Sequence, residues 1–138
     1  MLLRANVWIS LNGVQNSAYS GVSFPYTTKL PSSGKKAEIK GISDIYDEII
    51  RIGEESELKG FKVGESIYGQ IGFFADYIHL ISDIFQQRIK EYSFCKTFSC
   101  PPYPSLDKTP PNIVDDFLII EEEYNQYILK KNMENQNA

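Results

Sequence analysis

Histidine is almost missing from this chain, and His79 is its only representative. That excludes the catalytic and zinc-binding templates that need two or more imidazoles. Two cysteines, Cys95 and Cys100, are too few for a disulfide framework. The glycines at 60, 64, 69 and 72 have neither the Gly-x-Gly-x-x-Gly spacing nor a following Lys-Ser/Thr, so no phosphate-cradling loop is expected. Long apolar runs are also lacking. The longest, Ile71 to Phe85, is broken by Asp76, His79 and Asp83, whereas a membrane span needs about 20 largely apolar residues. Met1-Leu2-Leu3-Arg4-Ala5-Asn6 has no basic region before an apolar core, so a signal peptide is not expected. The expected setting is cytoplasmic, or inside a larger intracellular or viral assembly. Excess positive charge is missing too. A net charge of −4 and a pI near 5.0 argue against a nucleic-acid backbone as partner.

What is present is ordinary for one globular core: 138 residues, 42% apolar and 23% charged. Acidity is concentrated in the second half. Residues 1–64 carry 8 Lys+Arg against 7 Asp+Glu, and residues 65–138 carry 6 against 11. The pattern predicts an α+β fold over residues 1–131, strand-rich in 1–52 and a helical hairpin in 65–131, with a frayed tail at 132–138.

The strand reading starts from alternation. Leu3, Ala5, Val7, Ile9 and Leu11 alternate with Arg4, Asn6, Trp8 and Ser10, the signature of a half-buried strand. Asn12-Gly13 suits a tight hairpin turn, with a returning strand expected within Val14–Phe24, where Pro25 either demotes it to an edge strand or marks a break. A turn at Pro31-Ser32-Ser33-Gly34 precedes a strand over Lys36–Ile42. Three or four antiparallel strands are expected in all, with one more short strand at Phe61 and Val63. A short helix capped by Ser43 or Asp44 should run to Ile52 and stop at Gly53.

Ile67, Ile71, Phe74, Ile78, Ile81 and Phe85 follow a 4-3 spacing that predicts a helix from about Glu65 to Lys96. A second stripe, Phe73, Tyr77, Leu80 and Ile84, suggests cover on two sides, and Gly69 and Gly72 are its weak points. Pro101-Pro102-Tyr103-Pro104 must end it. A second helix should start near Thr109–Asn112, with Ile113, Phe117, Ile120, Tyr124 and Tyr127 repeating the 4-3 spacing. Together the seams predict a long antiparallel helical hairpin.

Phe94-Cys95-Lys96-Thr97-Phe98-Ser99-Cys100-Pro101 resembles the Phe-Cys-x4-Cys-Pro element that supplies two zinc ligands in Mob-family kinase adaptors. The resemblance covers eight residues and implies two further histidine ligands downstream. None follows His79, so no zinc site or other metal is carried over, and no cofactor is expected. Asp76, His79 and Asp83 share one helical face, yet lack the repeated Glu-x-x-His pairs of bundle di-metal sites.

The positive signal is aromatic. Nine tyrosines and eight phenylalanines include Tyr19, Phe24 and Tyr26 near the first hairpin, and Phe98 and Tyr103 in the Pro-rich turn. Trp8 falls on the polar face of the first strand, as an interface anchor unless a helix covers it as core. Amphipathic aromatic residues on loops and sheet faces favour binding to another protein. Glu121, Glu122 and Glu123 extend an acidic helix face that could dock on a basic surface. The sequence therefore points to a non-catalytic interaction or assembly protein, a small subunit of a larger particle or a homo-oligomer. The alternative is a small acidic inhibitor or immunity-type protein.

Overall fold

A computed structural model describes residues 1–136 and shows a mixed α+β fold, predominantly helical, with one two-stranded antiparallel sheet. The elements are α1 (Leu2–Asn12), β1 (Tyr26–Lys29), β2 (Lys36–Ile39), α2 (Ile42–Leu58), α3 (Val63–Gln70), α4 (Asp83–Thr97) and α5 (Pro111–Gln136). Short 3-10 turns lie at Ile71–Phe73, Tyr77–Leu80 and Leu106–Lys108.

The first correction is at the N-terminus. Leu3–Leu11 is helical, and the run Ala5–Ile9 is buried without a break, Asn6 and Trp8 included. A strand with one wet face would expose every second residue, whereas a helix enclosed on most sides need not show a polar stripe. Gly13 does not turn a hairpin. It follows the end of α1 at φ 82°, and its N–H donates to the Ile9 carbonyl at 2.8 Å. Val14–Phe24 is irregular and supplies no returning strand, so the sheet has two strands rather than three or four. Those two are joined by the expected Pro31–Gly34 turn, with Tyr26 opposite Ile39 and Lys29 opposite Lys36. Phe61 lies outside regular structure, and Val63 begins α3 rather than a strand.

The helix read as ending at Gly53 continues to Leu58. Gly53 is buried inside α2, with the Met1 side chain lying against it where a Cβ would project. Termination falls to Gly60 at φ 74°, where Phe61 N–H donates to the Ser56 carbonyl and Gly60 N–H to the Glu57 carbonyl. Glu48 ties α2 to the hairpin turn. Its buried carboxylate accepts from Ser32 N–H (2.9 Å), Ser32 Oγ (2.6 Å) and Arg51 Nε (2.9 Å).

The expected helix over 65–96 is three pieces. Asp76 accepts from Ile78 N–H and starts a 3-10 turn, and Ser82 caps α4. Asn6 of α1 secures that junction with a complete set of partners. Its Nδ2 donates to the carbonyls of Leu2 (2.8 Å) and Leu80 (3.1 Å). Its Oδ1 accepts from Ser82 N–H (3.0 Å) and Gln86 Nε2 (2.9 Å). Backbone groups that a continuous helix would pair internally are satisfied by this amide instead. The apolar seam is buried at Ile67, Ile71 and Phe74 but surfaces at Ile78, and Phe73 and Ile84 of the second stripe are exposed.

α5 starts where the sequence places it and extends through the expected frayed tail to Gln136, with residues 137–138 outside the described ones. It packs on α4 through Tyr92 against Phe117 and Tyr124. The ion pairs Arg88–Asp116 and Lys96–Glu121 advance together along both helices. An antiparallel hairpin would oppose them, so that detail is also corrected. α1 lies at the centre. Ala5, Trp8 and Ile9 join one apolar cluster with α2, α3 and the 3-10 turns. Leu3 and Val7 join a second with Ile89, Tyr92 and Ile120.

Candidate interaction surface

The residues singled out from the sequence separate into three places. Trp8 is core, 2% exposed, with Nε1–H donating to Glu123 Oε2 at 2.7 Å and its ring edge-on to Tyr127. Glu123 is equally buried and also takes Arg4 at 2.8 Å. Burial alone would lower the Arg4 pKa, but the hydrogen bonds that its guanidinium donates to Glu123 and Glu122 outweigh burial and raise the pKa. Glu122 and Glu121 stay on the surface, where Arg4 and Lys96 already pair with them. The three glutamates therefore do not form one acidic face, and Trp8 offers no surface.

Tyr19, Phe24 and Tyr26 form a half-buried aromatic ladder with His79. Ring centroids lie 5.1 Å apart for Tyr19–Tyr26, 5.9 Å for Phe24–Tyr26 and 5.2 Å for Phe24–His79. The Tyr26 hydroxyl donates to the Phe74 carbonyl at 2.9 Å. Burial, with smaller contributions from Tyr19 and Asp76, pushes its pKa up to about 12. The ladder fastens β1 to the Phe74–Leu80 segment, and His79 is part of that packing.

Phe98 and Tyr103 are different, because both are exposed. They sit on the segment 98–110 between α4 and α5, which doubles back through Pro101, Pro102 and Pro104 and a 3-10 turn at Leu106–Lys108. Thr109 Oγ1 donates to the Ser105 carbonyl at 2.8 Å and closes that turn. Around it the surface is apolar: Phe94 is 58% exposed, Phe98 64%, Leu106 73% and Leu118 64%. Phe94 and Phe98 touch, with ring centroids 4.7 Å apart. Two open grooves flank Pro101, Pro102 and Ile113. One, of about 600 Å³, runs along α4 past Phe94 and Tyr103. The other, of about 390 Å³, runs along α5 past Leu106, Phe117 and Leu118.

The sequence does not mark Leu106 or Leu118, and it marks Phe94 only as part of the Phe-Cys-x4-Cys-Pro element and not as a contact residue. The available signal for Leu118 was its place off the Ile113–Phe117–Ile120–Tyr124 seam, where an apolar side chain on an amphipathic helix has no core to enter. Cys95 and Cys100 lie side by side, half-buried, in the wall of the larger groove. Among the described residues, no group of three or more His, Cys, Asp or Glu side chains is arranged to hold a metal ion. No helix described is long and apolar enough to cross a membrane. No protein-family model, no curated protein and no solved structure matches this chain.

Proposed function

We propose that the chain is a non-catalytic interaction protein that docks another protein, or a second copy of itself, on the surface built by α4, the 98–110 segment and α5. The observation that carries this reading is the gathering of Phe94, Phe98, Leu106 and Leu118 beside two grooves. Single exposed apolar residues are ordinary, but here Phe94 touches Phe98, Leu106 and Leu118 share one groove, and a proline-stiffened connection joins the two pairs, which resembles the anchor-and-pocket arrangement of binding sites. Stiffness matters because a surface already held in one shape loses little conformational freedom on binding. Assembly into a larger particle fits the same surface, since subunits meet through apolar patches rimmed by charge. Here Lys90, Glu91, Lys96 and Glu121 provide such a rim.

The test pairs association with stability. Light scattering over a concentration series, together with crosslinking in extract, should reveal a complex or a self-assembly. Phe98→Ser or Leu106→Ser should weaken it about thirtyfold, as loss of one 2 kcal/mol anchor does, with the melting temperature unchanged. A chain that stays monomeric, and retains every recovered partner in both variants, overturns the reading.

A further inference from the structure

The last turn of α4 closes as a Schellman motif. Cys100 N–H donates to the Cys95 carbonyl at 3.0 Å and Ser99 N–H to the Lys96 carbonyl at 3.4 Å, with Ser99 in the left-handed region at φ 52°. α2 ends by the same pairing, but with Gly60 at the left-handed position and Phe61 and Ser56 at the ends of the longer bond. In this motif the two residues joined by the longer bond bring their side chains into contact, and an apolar pair commonly fills the place. In α4 the pair is Cys95 and Cys100, the only cysteines of the chain.

That pairing fixes a distance. With the carbonyl oxygen and amide nitrogen 3.0 Å apart, standard bond lengths hold the two Cα atoms within roughly 7 Å. A disulfide spans about 4.4–6.8 Å between Cα atoms. Burial first, and then the Cys100 thiol, push the Cys95 pKa upward. Both side chains are half-buried but border an open groove, so a small reagent can reach them.

We propose that Cys95 and Cys100 are a redox modification site, closing to a reversible intramolecular disulfide by thiol–disulfide exchange with a small disulfide of the glutathione class. One cysteine thiolate attacks the small disulfide, forming a mixed disulfide and releasing one glutathione thiolate. The second cysteine thiolate attacks the chain sulfur of that mixed disulfide and releases the other glutathione. The mixed disulfide forms and breaks again, so the net change is one S–S bond broken in the small disulfide and one S–S bond formed within the chain. The two thiol protons pass to the two departing glutathiones, and the chain loses two electrons to the reagent. Because the attacking species is a thiolate, closure accelerates as pH rises. The ring pins the start of the Pro-rich segment to α4 at the edge of the larger groove. It rests on the helix-end geometry and holds whether or not that groove binds a partner.

The experiment equilibrates the full chain with about 0.1 mM total glutathione at a series of reduced-to-oxidised ratios, then quenches with an alkylating reagent. A neighbouring thiol with an effective concentration in the millimolar range favours the ring over the mixed disulfide by about tenfold or more. The expected product is a monomer that has lost two hydrogens and takes up no alkylating reagent. Cys95→Ser and Cys100→Ser should each stop at one bound glutathione, with an unchanged helical spectrum. If a variant unfolds, the wild-type mass and alkylation pattern still decide. Wild-type chain that accumulates bound glutathione, forms a disulfide-linked dimer or keeps both thiols free overturns the proposal.

Discussion

Glu121, Glu122 and Glu123 show how three identical side chains in a row acquire different work from a helical rotation of about 100° each. Glu123 points inward and serves Trp8 and Arg4, Glu122 shares Arg4 from outside, and Glu121 reaches Lys96. Removing Glu123 leaves a buried indole N–H and a partly buried guanidinium without their acceptor. Glu123→Ala should therefore cost about 2–3 kcal/mol, reduced from the full buried-pair value because Arg4 keeps access to water and to Glu122. Glu122→Ala breaks only an exposed pair and should change stability by less than about 1 kcal/mol. Urea denaturation of both variants checks the contrast, and equal losses would refute the inward role. A tally of charges cannot show this, because position on the helix decides which carboxylate is solvated. The same reasoning locates Trp8: between Arg4, Asn6 and Ser10 it looked polar-facing, and its polar neighbour in space is a glutamate 115 positions away.

Elements were legible where a local stop or turn signal coincided with the pattern. The Pro31–Gly34 turn with the strand that follows it, the body of α2, the proline stop after α4 and the start of α5 all had such signals. Two elements lacked them. In α1, alternating apolar residues satisfy a strand of period two, but the intervening Asn6 and Trp8 are buried as well. Only tertiary contacts distinguish the two, since α3, α4 and α5 enclose α1. In the segment 63–97 the 4-3 spacing persists across two breaks, so periodicity alone reads one helix. Asp76 and Ser82 are the cap residues that marked the breaks. Asn6 links both cases, because its amide belongs to α1 and its partners to the junction before α4. Asn6→Ala should cost about 2–4 kcal/mol through orphaned groups at Leu80 and Ser82, with faster amide exchange at the first turn of α4. Unchanged exchange there would show that the junction holds without it.

At the scale of the whole molecule, α1 supplies fully buried side chains to both apolar clusters, and α5 reaches both as well, through Ile120 in one and Tyr127 against the other. From α1, Ala5, Trp8 and Ile9 face the α2–α3 side, while Leu3 and Val7 face α4 and α5. A helix that contributes to both cannot stay folded when either is lost, so the two halves should unfold together. Arg4–Glu123 and Lys130–Glu65 add ties from α5 to α1 and α3. The 98–110 segment contains no buried residue, so it should open locally without global unfolding. Native-state hydrogen exchange followed along the chain tests this division. Amides of Ala5–Ile9 should exchange only with the free energy of complete unfolding, and those of 98–110 far faster. Val7→Ala removes apolar volume only from the α4–α5 cluster, at a cost of about 1–3 kcal/mol. It should nevertheless lower the exchange protection of α2 by the same amount as that of α5. If α2 kept its protection while α5 lost it, the clusters would be independent folding units and α1 would not unite them.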